Sequence, residues 1–250
     1  SGDLRLWETY VESRFAGQDG SPIIFSYNQH HPDIPNTNDQ KEYEALNEAT
    51  GLIELPEAIS VDSGIATFIA IDSQKMIALY ARVIDEPELQ LDLDAHWAQL
   101  DLLAAAGKSW TFILAHHPLS TYGPHGGSQD SIPHRLLSAL LFFSNHYDDL
   151  DHPAYQSFIA DFEAFSRRHP IIFIAGHDHS LQLNEVSDSL LQVVSGSAGK
   201  TTSVNPGKET IYSYASPGFA RFDITPSEVW IEFMDLDENS PVLYRLKQNE

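Results

Sequence analysis

The chain has 250 residues, 42% of them hydrophobic, enough for one large domain with a real core and too many for bulk disorder. Its formal net charge of −22 argues against a general nucleic-acid binder or a binder of acidic membranes, since both need basic patches. It contains no cysteine, so disulfides and thiolate metal sites are excluded, and any metal must be held by His, Asp, Asn or Glu. A phosphate substrate stays compatible with the charge, because bound cations reverse the local field. No run is long and apolar enough to span a membrane, and no signal peptide is visible. Composition sets neither the compartment nor the oligomeric state.

Taken in order, the pattern predicts a helix over Leu4–Phe15 and a short buried strand over Pro22–Tyr27 that ends in Asn28-Gln29-His30-His31-Pro32. A helix over Asp39–Thr50 stops at Gly51. Ala58–Val61 and Ile65–Ile71 read as a hairpin across Asp62-Ser63-Gly64. Met76–Ala81 reads as a further strand. Asp94 is placed to cap a helix through Ala106 that closes at Gly107. A strand over Trp110–Ala115 follows, then a glycine-rich loop over Thr121–Pro133. Helices are expected near His134–Ser144 and Pro153–Arg168, around an acidic loop read as solvated surface. After a strand over Pro170–Ala175 the pattern changes to short strands: Leu181–Val186, Leu190–Val194, Ile211–Ala215, Phe219–Ile224, Val229–Met234 and Val242–Leu246. Their spacing suggests antiparallel pairing. Ser197–Lys208 reads as a connector.

Two unbroken apolar runs carry the chemistry. Ile171-Ile172-Phe173-Ile174-Ala175 ends in Gly176-His177-Asp178-His179, and Trp110-Thr111-Phe112-Ile113-Leu114-Ala115 ends in His116-His117-Pro118. Such runs suit strands buried on both faces of a parallel sheet, and ligands bind at the carboxyl edge of such sheets. In extended backbone, residues i and i+2 point the same way, so His177 and His179 can aim at one spot or at two adjacent ions. Gly176 would let the backbone turn tightly there. His116, His177 and His179 are therefore the candidate metal ligands.

Ala-Gly-His177-Asp178-His179-Ser-Leu-Gln resembles the last signature of the calcineurin-like metallophosphoesterases, and Leu-Ala-His116-His117-Pro118-Leu-Ser resembles the one before it. The flanking Tyr122-Gly123-Pro124-His125-Gly126 and Leu181-Gln182 are similar to the purple acid phosphatase branch. The resemblance implies an α/β fold: a four-layer αββα sandwich of two mixed sheets flanked by helices, with residues 1–250 as a single domain. It implies a centre of one or two ions of Fe, Zn or Mn that hydrolyses phosphate esters. By position, His116 and His177 would hold the second metal and His179 the first. Asn28 matches the ligand of a Gly-Asn-His motif, although Tyr27 and Gln29 stand where that motif has glycine and histidine; His30 would contact phosphate in its place. His125 would contact phosphate or protonate the leaving group. The implied substrate is a phosphorylated small molecule. A periplasmic or secreted location would follow from the same resemblance.

The family's upstream Asp-x-His strand has no counterpart before Asn28, and the only Gly-Asp is Gly2-Asp3. Asp3 is the candidate bridging ligand, and the family's first βα unit or units are expected to be missing. Three readings follow: a divergent phosphoesterase whose upstream ligands lie elsewhere, a binding domain that keeps part of the site, or a reduced single-metal hydrolase. Two-metal catalysis from these residues alone is expected to be weak or absent, with full activity once an upstream segment is restored.

Overall fold

The structure is a computed structural model, and it describes residues 58–62, 65–83, 86–106, 109–124, 126, 150–235 and 242–247. The chain divides into two compact units, Ser1–Thr37 and Asn38–Glu250, and every described residue belongs to the second. The helices expected over Leu4–Phe15, Asp39–Thr50 and His134–Ser144 and the strand expected over Pro22–Tyr27 lie outside the described residues.

The hairpin forms as expected: β1 (Ala58–Asp62) pairs antiparallel with β2 (Ala66–Ile71). The next element corrects the sequence reading. Met76–Ala81 is part of a helix, α1 (Ser73–Val83). Asp72 starts it: its Oδ1 accepts from the Lys75 N–H at 2.9 Å, which satisfies one of the free amides of the first turn. Ser73, Met76, Ile77 and Tyr80 are buried, a spacing of three and four residues that six apolar side chains in a row had masked. A short 3-10 turn (Pro87–Leu89) leads into α2 (Gln90–Ala105). Asp94 does not cap this helix. It lies one turn inside, where Gln90 Nε2 donates to its Oδ1 at 2.8 Å; proline at the head of the 3-10 turn starts the helical path earlier.

Strand β3 (Trp110–Leu114), helix α3 (Pro153–Ser166) and strand β4 (Ile171–Ala175) come next. His152 opens α3, its side chain accepting from the Ala154 N–H at 3.2 Å. The remaining strands are β5 (Leu181–Ser187), β6 (Leu190–Ser195), β7 (Thr210–Tyr214), β8 (Gly218–Ile224), β9 (Glu228–Asp235) and β10 (Val242–Lys247). Among the described residues they form a seven-stranded sheet, β1-β2-β3-β4-β6-β5-β7, and a three-stranded sheet, β10-β9-β8. Antiparallel pairing holds for the late strands, with one exception. Strand β6 runs parallel to β4, with Ile171 opposite Leu190, because the β5–β6 hairpin inserts β6 beside the central strands.

Both faces of the large sheet are covered, which is why β3 and β4 carry no polar alternation. Along β4, Ile171, Phe173 and Ala175 face the helices, while Ile172 and Ile174 face the second sheet. The helical side holds Phe158, Phe162 and Phe165 of α3, all fully buried. On the other side Val229, Ile231 and Phe233 of β9 pack on β3, β4 and β6. Helices, large sheet and small sheet thus form three successive layers of the expected sandwich. Trp97 Nε1 donates to the Tyr80 hydroxyl at 2.8 Å, and that hydroxyl donates to Asp161, tying the three helices together. No helix among the described residues is long and apolar enough to cross a membrane.

Candidate metal centre

Strands β3 and β4 are parallel neighbours, so both deliver their carboxyl ends to one edge. The ladder continues past the strands. Ala115 N–H donates to Ile174 O at 3.0 Å, and Gly176 N–H donates to His116 O at 3.1 Å. The residues that follow are held side by side. His116 Nε2 and His177 Nδ1 are hydrogen-bonded at 2.9 Å, through a proton that a metal would displace. Sequence reasoning paired these two histidines, and the structure brings them into contact.

It adds a third. His117 is fully buried, and its ring centroid is 4.9 Å from those of both His116 and His177, which are themselves 4.9 Å apart. The three rings form a near-equilateral cluster whose ligand atoms all lie within 4.8 Å of one another. Buried beside it, Ser73 Oγ lies 2.9 Å from His117 Nδ1 and accepts from the His117 N–H at 3.1 Å. The sequence reading named His117 only as part of the His116-His117-Pro118 motif and gave it no role. The signal available in the sequence was its adjacency to His116 beyond the strand end, where the chain turns and alternation no longer separates neighbours.

The turn itself differs from expectation. Gly176 is not where the backbone departs: a Cβ there would lie 4.0 Å from His116 Nδ1 and His116 O, an ordinary contact. His177 takes the left-handed conformation instead, with φ of 67°. Non-glycine residues there are strained, and such strain collects at functional sites. Because His177 is not extended, the i, i+2 argument for His177 and His179 does not hold here. His179 is half-buried, its main-chain oxygen accepting from the Thr202 N–H at 2.8 Å. It stands outside the group of three. Asp3, Asn28, His30 and His125 lie outside the described residues.

A buried polar network supports the two histidine loops. Thr121 Oγ1 donates to the Asp178 carboxylate, which joins the loop after His116 to the loop after His177. Gln182 Nε2 donates to the same hydroxyl at 2.8 Å. Gln192 Oε1 accepts from the Leu119 N–H at 2.5 Å and the Ser120 N–H at 3.1 Å, while its Nε2 donates to Ser120 O. A Cβ on Gly123 would lie 2.6 Å from Asp178 Cγ, so only glycine lets the two loops approach this closely. Gln182 and Asn184 of β5 and Gln192 of β6 are fully buried. That pattern, buried amides facing a loop, was readable in the sequence and was missed.

The geometry of the pair fits a metal ion. Two zinc–imidazole bonds of about 2.0–2.1 Å set at a right angle place their nitrogens about 2.9 Å apart. The same bonds at a tetrahedral angle place them about 3.4 Å apart. The observed 2.9 Å is within a small adjustment of both. A set of imidazoles suits Zn, Fe and related borderline ions.

No family model matches the chain, and no curated protein matches it at the threshold of significance. Among solved structures it is similar to GAP50, the anchor in the inner membrane complex of Plasmodium, with a TM-score of 0.53 at 15% identity, over 97% of this chain and 71% of that one. A weaker likeness is to PhoD, with a TM-score of 0.43 at 9% identity, over 78% of this chain and 43% of that one. Vps29 of Entamoeba histolytica, solved in complex with zinc, gives a TM-score of 0.31 at 16% identity, over 79% and 64%. These are likenesses of fold. The chain has a metallophosphatase-like α/β architecture of two sheets with helices, and it carries a histidine group at the carboxyl edge of the large sheet.

Proposed function

We propose that this chain is a metal-dependent phosphoesterase that hydrolyses phosphate monoesters at the histidine centre beyond β3 and β4. The observation that carries the reading is the 2.9 Å contact of His116 Nε2 with His177 Nδ1 at the carboxyl ends of adjacent parallel strands. Bound zinc, iron or manganese would polarise the phosphoryl oxygens and lower the pKa of a bound water. His116 and His177 would hold that ion. Thr121, Asp178 and Gln182 keep the two loops in register, so both imidazoles meet the ion without a search. The resemblance adds His179, Asn28 and Asp3 as further ligands, and His30 and His125 as groups that meet the phosphate. The substrate would be a phosphorylated small molecule, and a purple acid phosphatase relationship is the finer form of the same reading.

A second reading, a binding domain with part of a metal site, is favoured by Tyr27-Asn28-Gln29-His30, which departs from the Gly-Asn-His pattern at two positions. The test is phosphate release from an aryl phosphate by the full chain loaded with zinc, iron or manganese. Chelator-sensitive release that is lost in His177→Ala supports the enzyme. Metal bound at His116 and His177 without release under any of the three ions supports the binding domain.

A further inference from the structure

We propose that His117 is a third ligand of the centre, acting through Nε2, and that Ser73 is the residue that positions it. The inference rests on the metal-binding part of the proposed function. Three observations point to it. His117 completes the triangle of rings with His116 and His177, each pair 4.9 Å apart between centroids. One of its ring nitrogens lies within 4.8 Å of a ring nitrogen of each. Its Nδ1 faces Ser73 Oγ at 2.9 Å, while its Nε2 is buried inside the protein.

The chemistry follows from the two ring nitrogens. A neutral imidazole carries one proton, and the hydrogen bond made by one nitrogen decides which lone pair is left for a metal. When Nδ1–H donates to Ser73 Oγ, Nε2 is the nitrogen that carries the lone pair a metal would take. Ligating histidines are oriented in this way by an oxygen on the far nitrogen, and losing that oxygen typically weakens metal binding about 10–100-fold. The Ser73 hydroxyl oxygen also accepts from the His117 main-chain N–H. Ring and backbone of His117 are thus fixed to the same atom. Ser73 itself is fully buried at the start of α1, so the support is rigid. Tyr155 packs edge-on against the His117 ring at 5.7 Å between centroids, its hydroxyl donating to Pro118 O at 2.6 Å.

The experiment uses the full chain with zinc or cobalt alone. Zinc affinity is measured by calorimetry, and the number of imidazoles on the metal by X-ray absorption, for the wild type and for His117→Gln, Ser73→Ala and Ser73→Thr. Folding is monitored by circular dichroism without metal. The proposal expects His117→Gln to remove one imidazole from the metal shell. It expects Ser73→Ala to weaken zinc binding about 10–100-fold, and Ser73→Thr, which keeps the hydroxyl, to restore it. An unchanged imidazole count in His117→Gln overturns the proposal while leaving the metal centre intact. A wild-type chain that binds neither metal overturns the centre as well, so the two failures are distinct. If Ser73→Ala proves unfolded, the imidazole count of His117→Gln still decides.

Discussion

Replacing Gln192 by leucine tests whether the buried amides hold the loop beside the histidines. Leucine keeps most of the volume and removes every polar contact. Two main-chain groups lose their partner, Leu119 N–H and Ser120 N–H, while Ser120 C=O keeps the Asn184 amide at 3.1 Å. A buried group left unsatisfied costs about 1–3 kcal/mol. Leu119 is buried and bears that cost in full, whereas Ser120 is half-buried and its N–H can turn partly toward water. Leucine regains some apolar burial. The net expectation is a loss of roughly 2 kcal/mol of stability. Urea denaturation should show it as a lower midpoint at unchanged slope. Zinc affinity should fall as well, since the freed loop begins directly after His117-Pro118. A loss below about 0.5 kcal/mol, the range of ordinary surface substitutions, would refute the idea that this side chain anchors the loop.

Gly123→Ala drives a methyl group to 2.6 Å from Asp178 Cγ, and overpacking of this kind should cost about 1–3 kcal/mol, read as a lower melting temperature. At His177, with its φ of 67°, glycine should be more stable than alanine by about 1 kcal/mol in metal-free denaturation, because only the β-carbon makes that conformation costly. On the small sheet, the hydrogen bond from Arg245 holds the Glu228 carboxyl below its usual value. A depressed carboxyl adds stability above its unfolded pKa and loses it as the pH falls through the folded one. Arg245→Ala should therefore flatten the acid side of the stability–pH profile, a small effect at an exposed pair.

The central strands were legible because both faces of β3 and β4 are covered, which turns each into an unbroken apolar run. Their neighbourhood in the sheet followed from the shared histidine endings, and the contact of His116 with His177 bears that out. The same absence of polar alternation misled at Met76–Ala81. A buried helix and a buried strand look alike over six residues, and the deciding signal was Asp72, just outside the run. The place of His117 was hidden for another reason. It depends on where the chain leaves the extended conformation, and Ser73 reaches it from 44 residues away. Antiparallel pairing was a sound reading for a series of short strands, yet a hairpin docked on a parallel core makes β6 parallel to β4.

The central claim is a metal centre that receives phosphate at the carboxyl edge of the large sheet. A crystal structure of the full chain grown with zinc and inorganic phosphate tests it most directly. The account predicts an anomalous zinc peak about 2.0–2.1 Å from His116 Nε2 and His177 Nδ1, with a phosphate oxygen on the zinc. Zinc bound elsewhere, or zinc at the histidines with phosphate excluded from it, would contradict the account.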